Sequence, residues 1–179
     1  GTYPFGITDA NGCFITDTIP INQPNQISVI KNISDYNGYN ISCNGGSNGA
    51  VSILISGGTP SYIEDWGIYN PDSLSAGTYV FQVTDNNGCV YTDSISVTEP
   101  NQISSSATVL NLTSCTNPDG EIDLSVSGGV YPYNYLWNNN DTTEDISNLQ
   151  AGNYYVIVTD QNNCTYSDTA IVTQPSNNL

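Results

Sequence analysis

The chain repeats itself. Gly1-Thr2-Tyr3, followed by Ile7-Thr8-Asp9-Ala10-Asn11-Gly12-Cys13, returns as Gly77-Thr78-Tyr79 with Val83-Thr84-Asp85-Asn86-Asn87-Gly88-Cys89. It returns again as Gly152-Asn153-Tyr154 with Val158-Thr159-Asp160-Gln161-Asn162-Asn163-Cys164, at an offset of 75 or 76 residues. Gln23-Pro24-Asn25-Gln26-Ile27, Glu99-Pro100-Asn101-Gln102-Ile103 and Gln174-Pro175 mark the junctions. Ser56-Gly57-Gly58 with Trp66 matches Ser127-Gly128-Gly129 with Trp137 inside the repeats. A fixed period of this kind signals one structural unit used several times. The boundaries that follow are 1–24, the tail of a truncated repeat; 25–99 and 100–175, two complete repeats; and 176–179, the start of a further linker. Pro24, Pro100 and Pro175 cannot donate to a strand ladder and suit short, stiff connections.

Each repeat is a string of short strands. Val51, Ile53 and Ile55 alternate with polar residues, as do Ile122, Leu124 and Val126, and both runs stop at Gly-Gly. Tyr79, Phe81 and Val83, with Tyr154, Val156 and Val158, form a late strand. The Asp-x-Asn-Gly step that follows predicts a hairpin of type I′. About seven strands with frequent turn signals describe an all-β chain of tandem immunoglobulin-like β-sandwich repeats.

Ser42-Cys43-Asn44-Gly45-Gly46-Ser47-Asn48-Gly49, then Ser56-Gly57-Gly58-Thr59-Pro60, Leu74-Ser75-Ala76-Gly77-Thr78-Tyr79 and Val83-Thr84-Asp85-Asn86-Asn87-Gly88-Cys89 resemble the SprB repeat. The resemblance extends over essentially the whole chain. Two departures concern loops: a shortened stretch between Trp66 and Ala76, and Cys115-Thr116-Asn117-Pro118-Asp119-Gly120 in place of the Cys-Asn-Gly-Gly run. The resemblance implies a segment of a very large surface adhesin of gliding bacteria, exported by type IX secretion, extracellular and at the cell surface.

Charge narrows the partners. Lys31 is the single basic residue, histidine is absent, and the formal net charge is −16. Nucleic-acid binding and docking to anionic lipid both require clustered Lys and Arg, so neither is expected. No run of about 20 apolar residues offers a membrane span. The first residues lack a signal peptide, and the polypeptide is expected to continue upstream.

Five cysteines recur at two positions, Cys43 and Cys115 early, Cys13, Cys89 and Cys164 late. In a small secreted unit with little apolar mass this reads as a disulfide framework. Pairing within repeats, Cys43–Cys89 and Cys115–Cys164, is favoured, with Cys13 joined to a residue upstream. Bridges between repeats, Cys89–Cys115 or Cys43–Cys164, use the same periodicity. Without histidine or a Cys-x-x-Cys spacing there is no ligand set for zinc.

Four further groups are candidates. The Asp9/Asn11, Asp85/Asn87 and Asp160/Asn162 loops carry oxygen donors suited to weak calcium binding, but Asp and Asn equally serve a turn, which is preferred. No other cofactor is expected. Glu64-Asp65 and Glu144-Asp145 are adjacent carboxylates, read as solvated surface, since neighbours on a strand face opposite ways and a glycosidase needs an opposed pair. Tyr133, Tyr135 and Trp137, with Tyr131 nearby, form either a sugar-stacking platform or, preferably, an inward face anchored by Trp66 and Trp137. Asp17-Thr18-Ile19, Asp93-Ser94-Ile95, Asp168-Thr169-Ala170, Asp72-Ser73-Leu74 and Asp141-Thr142-Thr143 resemble an Asp-Ser/Thr-aliphatic O-glycosylation acceptor, making Thr18, Ser94, Thr169, Ser73 and Thr142 the candidates. Polar alternation along a strand accounts for the same pattern.

No catalytic constellation emerges, so an enzyme is not expected. The expected role is a stiff, disulfide-stapled stalk in surface attachment and gliding. Its partners would be neighbouring repeats, and beyond them surface polysaccharide or like filaments. The alternative is a carbohydrate-binding repeat module of a secreted protein.

Overall fold

The computed structural model describes residues 1–176, so the linker expected at 176–179 falls almost entirely outside the described residues. Every named element is a β-strand: β1 (Thr2–Thr8), β2 (Phe14–Pro20), β3 (Ser28–Ile33), β4 (Val51–Ser56), β5 (Tyr62–Asp65), β6 (Gly77–Asp85), β7 (Val90–Val97), β8 (Ser104–Leu110), β9 (Gly120–Ser127), β10 (Asn134–Trp137), β11 (Ile146–Leu149), β12 (Gly152–Thr159) and β13 (Thr165–Val172). The all-β class expected from Val, Ile, Tyr and Thr is the class observed. The strands form five small sheets: β1-β2, β3-β4, β5-β6-β7, β11-β9-β8 and β10-β12-β13.

Two compact units form. The first gathers Gly1–Ile30, Ile53–Gly67 and Val80–Asp93; the second gathers Lys31–Ser52, Ile68–Tyr79 and the chain from Ser94 onward. The first full repeat therefore supplies chain to both.

In the second unit, β11-β9-β8 and β10-β12-β13 close on one core. Ile122 and Leu124 from β9, Trp137 from β10, Ile146 and Leu149 from β11, Val156 and Val158 from β12, and Ala170 and Val172 from β13 are all buried together. Period-two alternation makes this possible: in β12, Val156 and Val158 face in while Tyr155 and Ile157 are exposed. The antiparallel ladder of β12 and β13 runs without a break from Gly152↔Val172 to Thr159↔Thr165. Residues 104–172 hold six strands, against about seven expected. Chain 113–119 around Cys115 is bent and irregular instead, and Asp119 there takes both the N–H and the hydroxyl of Thr113, at 3.1 and 2.5 Å.

In the first unit, β1 and β2 pair from Thr2↔Pro20 to Thr8↔Phe14. Tyr3, Phe5 and Ile7 are exposed, whereas their counterparts Tyr79, Phe81 and Val83 are 8%, 1% and 0% exposed. Trp66 stacks on Phe81 with ring centroids 4.8 Å apart. Both tryptophans are buried, as expected, but only Trp137 satisfies its indole, donating from Nε1 to the Thr143 carbonyl at 3.0 Å. Among the described residues, Trp66 Nε1 is the buried side-chain polar atom that lacks a partner.

Candidate functional site, a joint between repeats

The Asp-x-Asn-Gly turn organises the site. In the second full repeat Asp160 N donates to Cys164 O at 3.0 Å and Asn163 N to Asp160 O at 3.0 Å. Asn163 takes φ of 64°, as Gly88 (79°) and Gly12 (86°) do at the same position. A single left-handed residue, not two, makes this a type I turn closed by a bulge, which corrects the expected type I′ hairpin. Asn is the residue other than Gly that most readily accepts this conformation.

Asp160 holds the turn. Its Oδ1 accepts from Asn162 N (2.8 Å) and Cys164 N (2.9 Å), and its Oδ2 from Val130 N (2.9 Å), next to the Gly-Gly turn. Asp85 does the same with Asn87 N, Cys89 N and Thr59 N, at 2.9, 2.8 and 2.8 Å. The Thr59 N–H above all, with those of Cys89 and Asn87, keeps the Asp85 carboxyl below its ordinary value of 3.8 against the opposing effect of desolvation. Asp9 accepts from Asn11 N and Cys13 N at 2.9 and 2.8 Å. The three candidate calcium loops thus direct these carboxylates at N–H donors.

On this turn, inside the second unit, sits a loop of the preceding repeat. Cys43 is bonded to Cys164, with Cα atoms 5.7 Å apart and 121 residues between them in sequence. Asn162 Nδ2 donates to Tyr36 O (3.2 Å) and Ser42 O (3.0 Å), and Asn162 Oδ1 accepts from Asn37 Nδ2 at 2.6 Å. The same loop grips the linker: Asn44 Nδ2 reaches Pro100 O at 3.1 Å and Glu99 Oε1 at 3.3 Å, while Gly45 N donates to Glu99 Oε2 at 2.7 Å. Pro100 is buried. Asn101 O accepts from Gly129 N at 2.8 Å, tying the linker to the Gly-Gly turn as well.

The pairing favoured from the sequence is therefore corrected. Cys43 does not bond Cys89, nor Cys115 Cys164. The early cysteine sits at one end of the last strand and the late cysteine at the other. Leu112 N donates to Thr173 O at 3.0 Å and Cys115 Sγ lies 3.6 Å from Pro175 O, both beyond the end of β13, while Cys164 precedes its start. Eight extended residues span about 26 Å, far beyond the roughly 7 Å that a disulfide bridges. The loop of Cys43 is likewise bonded to Thr98, past the end of β7, through Asn40 N and Ile41 N. Between repeats, the geometry closes. Cys13 and Cys89 are free, exposed thiols.

The other candidates separate. Trp137 is buried, and Tyr133 and Tyr135 are half-buried against the core, so they form no exposed platform; Tyr131 alone of the group is exposed. Burial, then a hydrogen bond with Glu144, pushes the Tyr135 phenol up to about 12. Glu64 and Asp65 are exposed on β5, and Asp65 Oδ1 accepts from Gly67 N at 2.8 Å. Glu144 and Asp145 precede β11, and Asp145 Oδ1 accepts from Leu124 N at 2.9 Å. Thr18, Ser94, Thr169, Ser73 and Thr142 are all exposed. Thr18, Thr142 and Thr169 give their N–H to the preceding aspartate at 2.7, 2.8 and 2.7 Å, and the Ser73 hydroxyl bonds Ser47 O at 3.0 Å.

Sequence reading missed Tyr36, Asn37, Asn44 and Glu99, and read Asn162 as part of a turn or weak calcium loop rather than of a joint. A hint was present in Glu99, an acid where the other two junctions carry glutamine.

A chain of repeated antiparallel units in which one repeat's loop is bonded to the next repeat's turn belongs to the class of tandem-repeat β proteins. The family model for the SprB repeat matches at two places, residues 39–63 and 108–142, so each full repeat carries SprB-repeat sequence. No curated protein matches the chain. Among the described residues no helix is long and apolar enough to cross a membrane.

Proposed function

We propose that this chain is a load-bearing stretch of a filamentous bacterial cell-surface adhesin. It would serve attachment and gliding by holding an adhesive region away from the cell, with no catalytic role of its own. The SprB-repeat matches support the surface-adhesin assignment. The observation that carries the mechanical part is the Cys43–Cys164 bond, since a covalent link across the joint passes tension around the chain between the two cysteines. Asn44 and Glu99 stiffen the linker, adding to Pro100 and to the Asn101 tie to Gly129. Repeats that touch only their neighbours add reach without adding topological complexity. The net charge of −16 would keep parallel copies apart.

Pulling the oxidised chain by its ends tests this. With the bond intact, unfolding releases only the residues outside the loop, about 200 Å of contour at 3.3–3.6 Å per residue. Cys43→Ser should release about 600 Å. Full release from the oxidised chain would contradict a load-bearing bond.

A further inference from the structure

We propose that the corner around Cys89 is a docking socket for the early-cysteine loop of another SprB-type repeat, closed by a disulfide to Cys89 as Cys43 closes on Cys164. A cavity of about 290 Å³ there is lined by Pro24, Ile27, Gly58, Asp85, Cys89 and Tyr91. Each has its counterpart at the Cys164 corner, in Pro100, Ile103, Gly129, Asp160, Cys164 and Tyr166, and that corner also receives Cys43 and Asn44.

The two corners are built by the same bonds. Gly58 N donates to Asn25 O at 2.7 Å where Gly129 N donates to Asn101 O at 2.8 Å. The aspartate hubs hold Cys89 N and Cys164 N at 2.8 and 2.9 Å. They differ where the joint requires it. Asn162 Nδ2 donates across the joint to Tyr36 O and Ser42 O, whereas Asn87 Nδ2 turns back to Thr59 Oγ1 at 2.9 Å. Cys164 is oxidised and Cys89 is a free, exposed thiol. Gln23 stands where Glu99 receives Asn44 and Gly45, and its amide oxygen can accept the same donors. Cys13 is the internal control. It sits on the same turn, with its N–H on Asp9 at 2.8 Å, and is exposed. In the unextended chain no Ser-Gly-Gly turn is left for it, those at Ser56-Gly57-Gly58 and Ser127-Gly128-Gly129 serving the other two corners, and in the extended chain the one added early cysteine leaves it no loop to receive.

The occupant is a loop of the Ser-Cys-Asn-Gly-Gly type, because that is what the equivalent corner holds. The bond forms by thiol–disulfide exchange with a disulfide oxidant such as oxidised glutathione. One cysteine thiolate attacks it, releasing one glutathione thiolate. The second cysteine thiolate displaces the other glutathione from the mixed disulfide. Two electrons and two protons pass from the cysteines to glutathione, and one S–S bond is made for one broken. The socket depends on the joint's geometry and not on whether the chain bears load, so its test leaves the mechanical reading untouched.

Fusing a copy of residues 25–76 ahead of Gly1 puts Gly1-Thr2-Tyr3 in the frame of Gly77-Thr78-Tyr79, so that the added segment and 1–24 together have the sequence pattern of 25–99. The extended chain is refolded in a glutathione redox buffer, and its disulfides are mapped without reduction in molecules that hold Cys43–Cys164. The proposal expects the added copy of Cys43 to be joined to Cys89, which loses its reactivity to iodoacetamide, while Cys13 keeps its own. Joining of the added cysteine to Cys13, or Cys89 remaining as reactive as in the unextended chain, would overturn it.

Discussion

The side-chain amide of Asn162 stands 3.0 Å from the carbonyl of Ser42, 120 residues away in sequence. With its contacts to Tyr36 and Asn37, it makes one asparagine the polar centre of the joint. Asn162→Ala should destabilise by about 1–3 kcal/mol, because it removes three hydrogen bonds at once, those to Tyr36 O, Ser42 O and Asn37 Nδ2. Asn87→Ala, which loses one contact to Thr59 on an exposed side chain, should cost under about 1 kcal/mol. Urea denaturation of the two variants checks the difference.

Gly128→Ala should be among the most damaging single changes. Its φ is 78°, and an added Cβ would lie 2.0 Å from the carbonyl oxygen of Gln102, a backbone atom of the linker. Strain and displacement together should exceed about 3 kcal/mol. Gly88→Ala, with a similar φ of 79° but open space around it, should cost only the conformational part, about 1 kcal/mol. Equal losses in a thermal melt would contradict the close approach.

The tryptophans should respond differently to Phe. Trp137→Phe removes the donor to Thr143 O and opens a gap in a side chain 2% exposed. Trp66→Phe removes an indole N–H that already lacks a partner. The first should be costlier by about 1 kcal/mol. Denaturation followed by circular dichroism measures both.

Acid should unfold the protein from a flat plateau. Thr59, Cys89 and Asn87 depress Asp85, while the Thr113 hydroxyl depresses Asp119 and the Thr143 hydroxyl depresses Asp141. A depressed carboxyl binds more protons unfolded than folded, so its stabilisation is present above about pH 4 and lost as pH falls through the lower folded values. With no histidine, no side chain has its ordinary charge change between pH 5 and 8. Stability should be level from pH 8 to 5 and fall below 4, less steeply in Asp85→Asn. Stability that rises toward pH 3 would contradict these assignments.

Much of the fold was legible because the information is local. Alternation in Ile122-Asp123-Leu124 gives strand and face, and Gly128-Gly129 gives the turn. The disulfide partner was not legible. Periodicity says that early and late cysteines pair, but the same offset fits partners within one repeat or across two. What decides is that Cys115 and Cys164 stand at opposite ends of β13, which is a three-dimensional fact. Asn162 was hidden for a related reason: as part of a turn it already had a sufficient explanation. The tyrosines were resolved by the same alternation that predicted them, with Tyr133, Tyr135 and Trp137 turned to the core.

The joint itself is tested most directly by peptide mapping of the oxidised chain without reduction, using Asp-N protease because trypsin has only Lys31 to cut. A cross-linked pair carrying Cys43 and Cys164 is predicted, with Cys89 recovered in a linear peptide. Recovery of Cys43 joined to Cys89, with Cys164 joined to Cys115, would contradict the account.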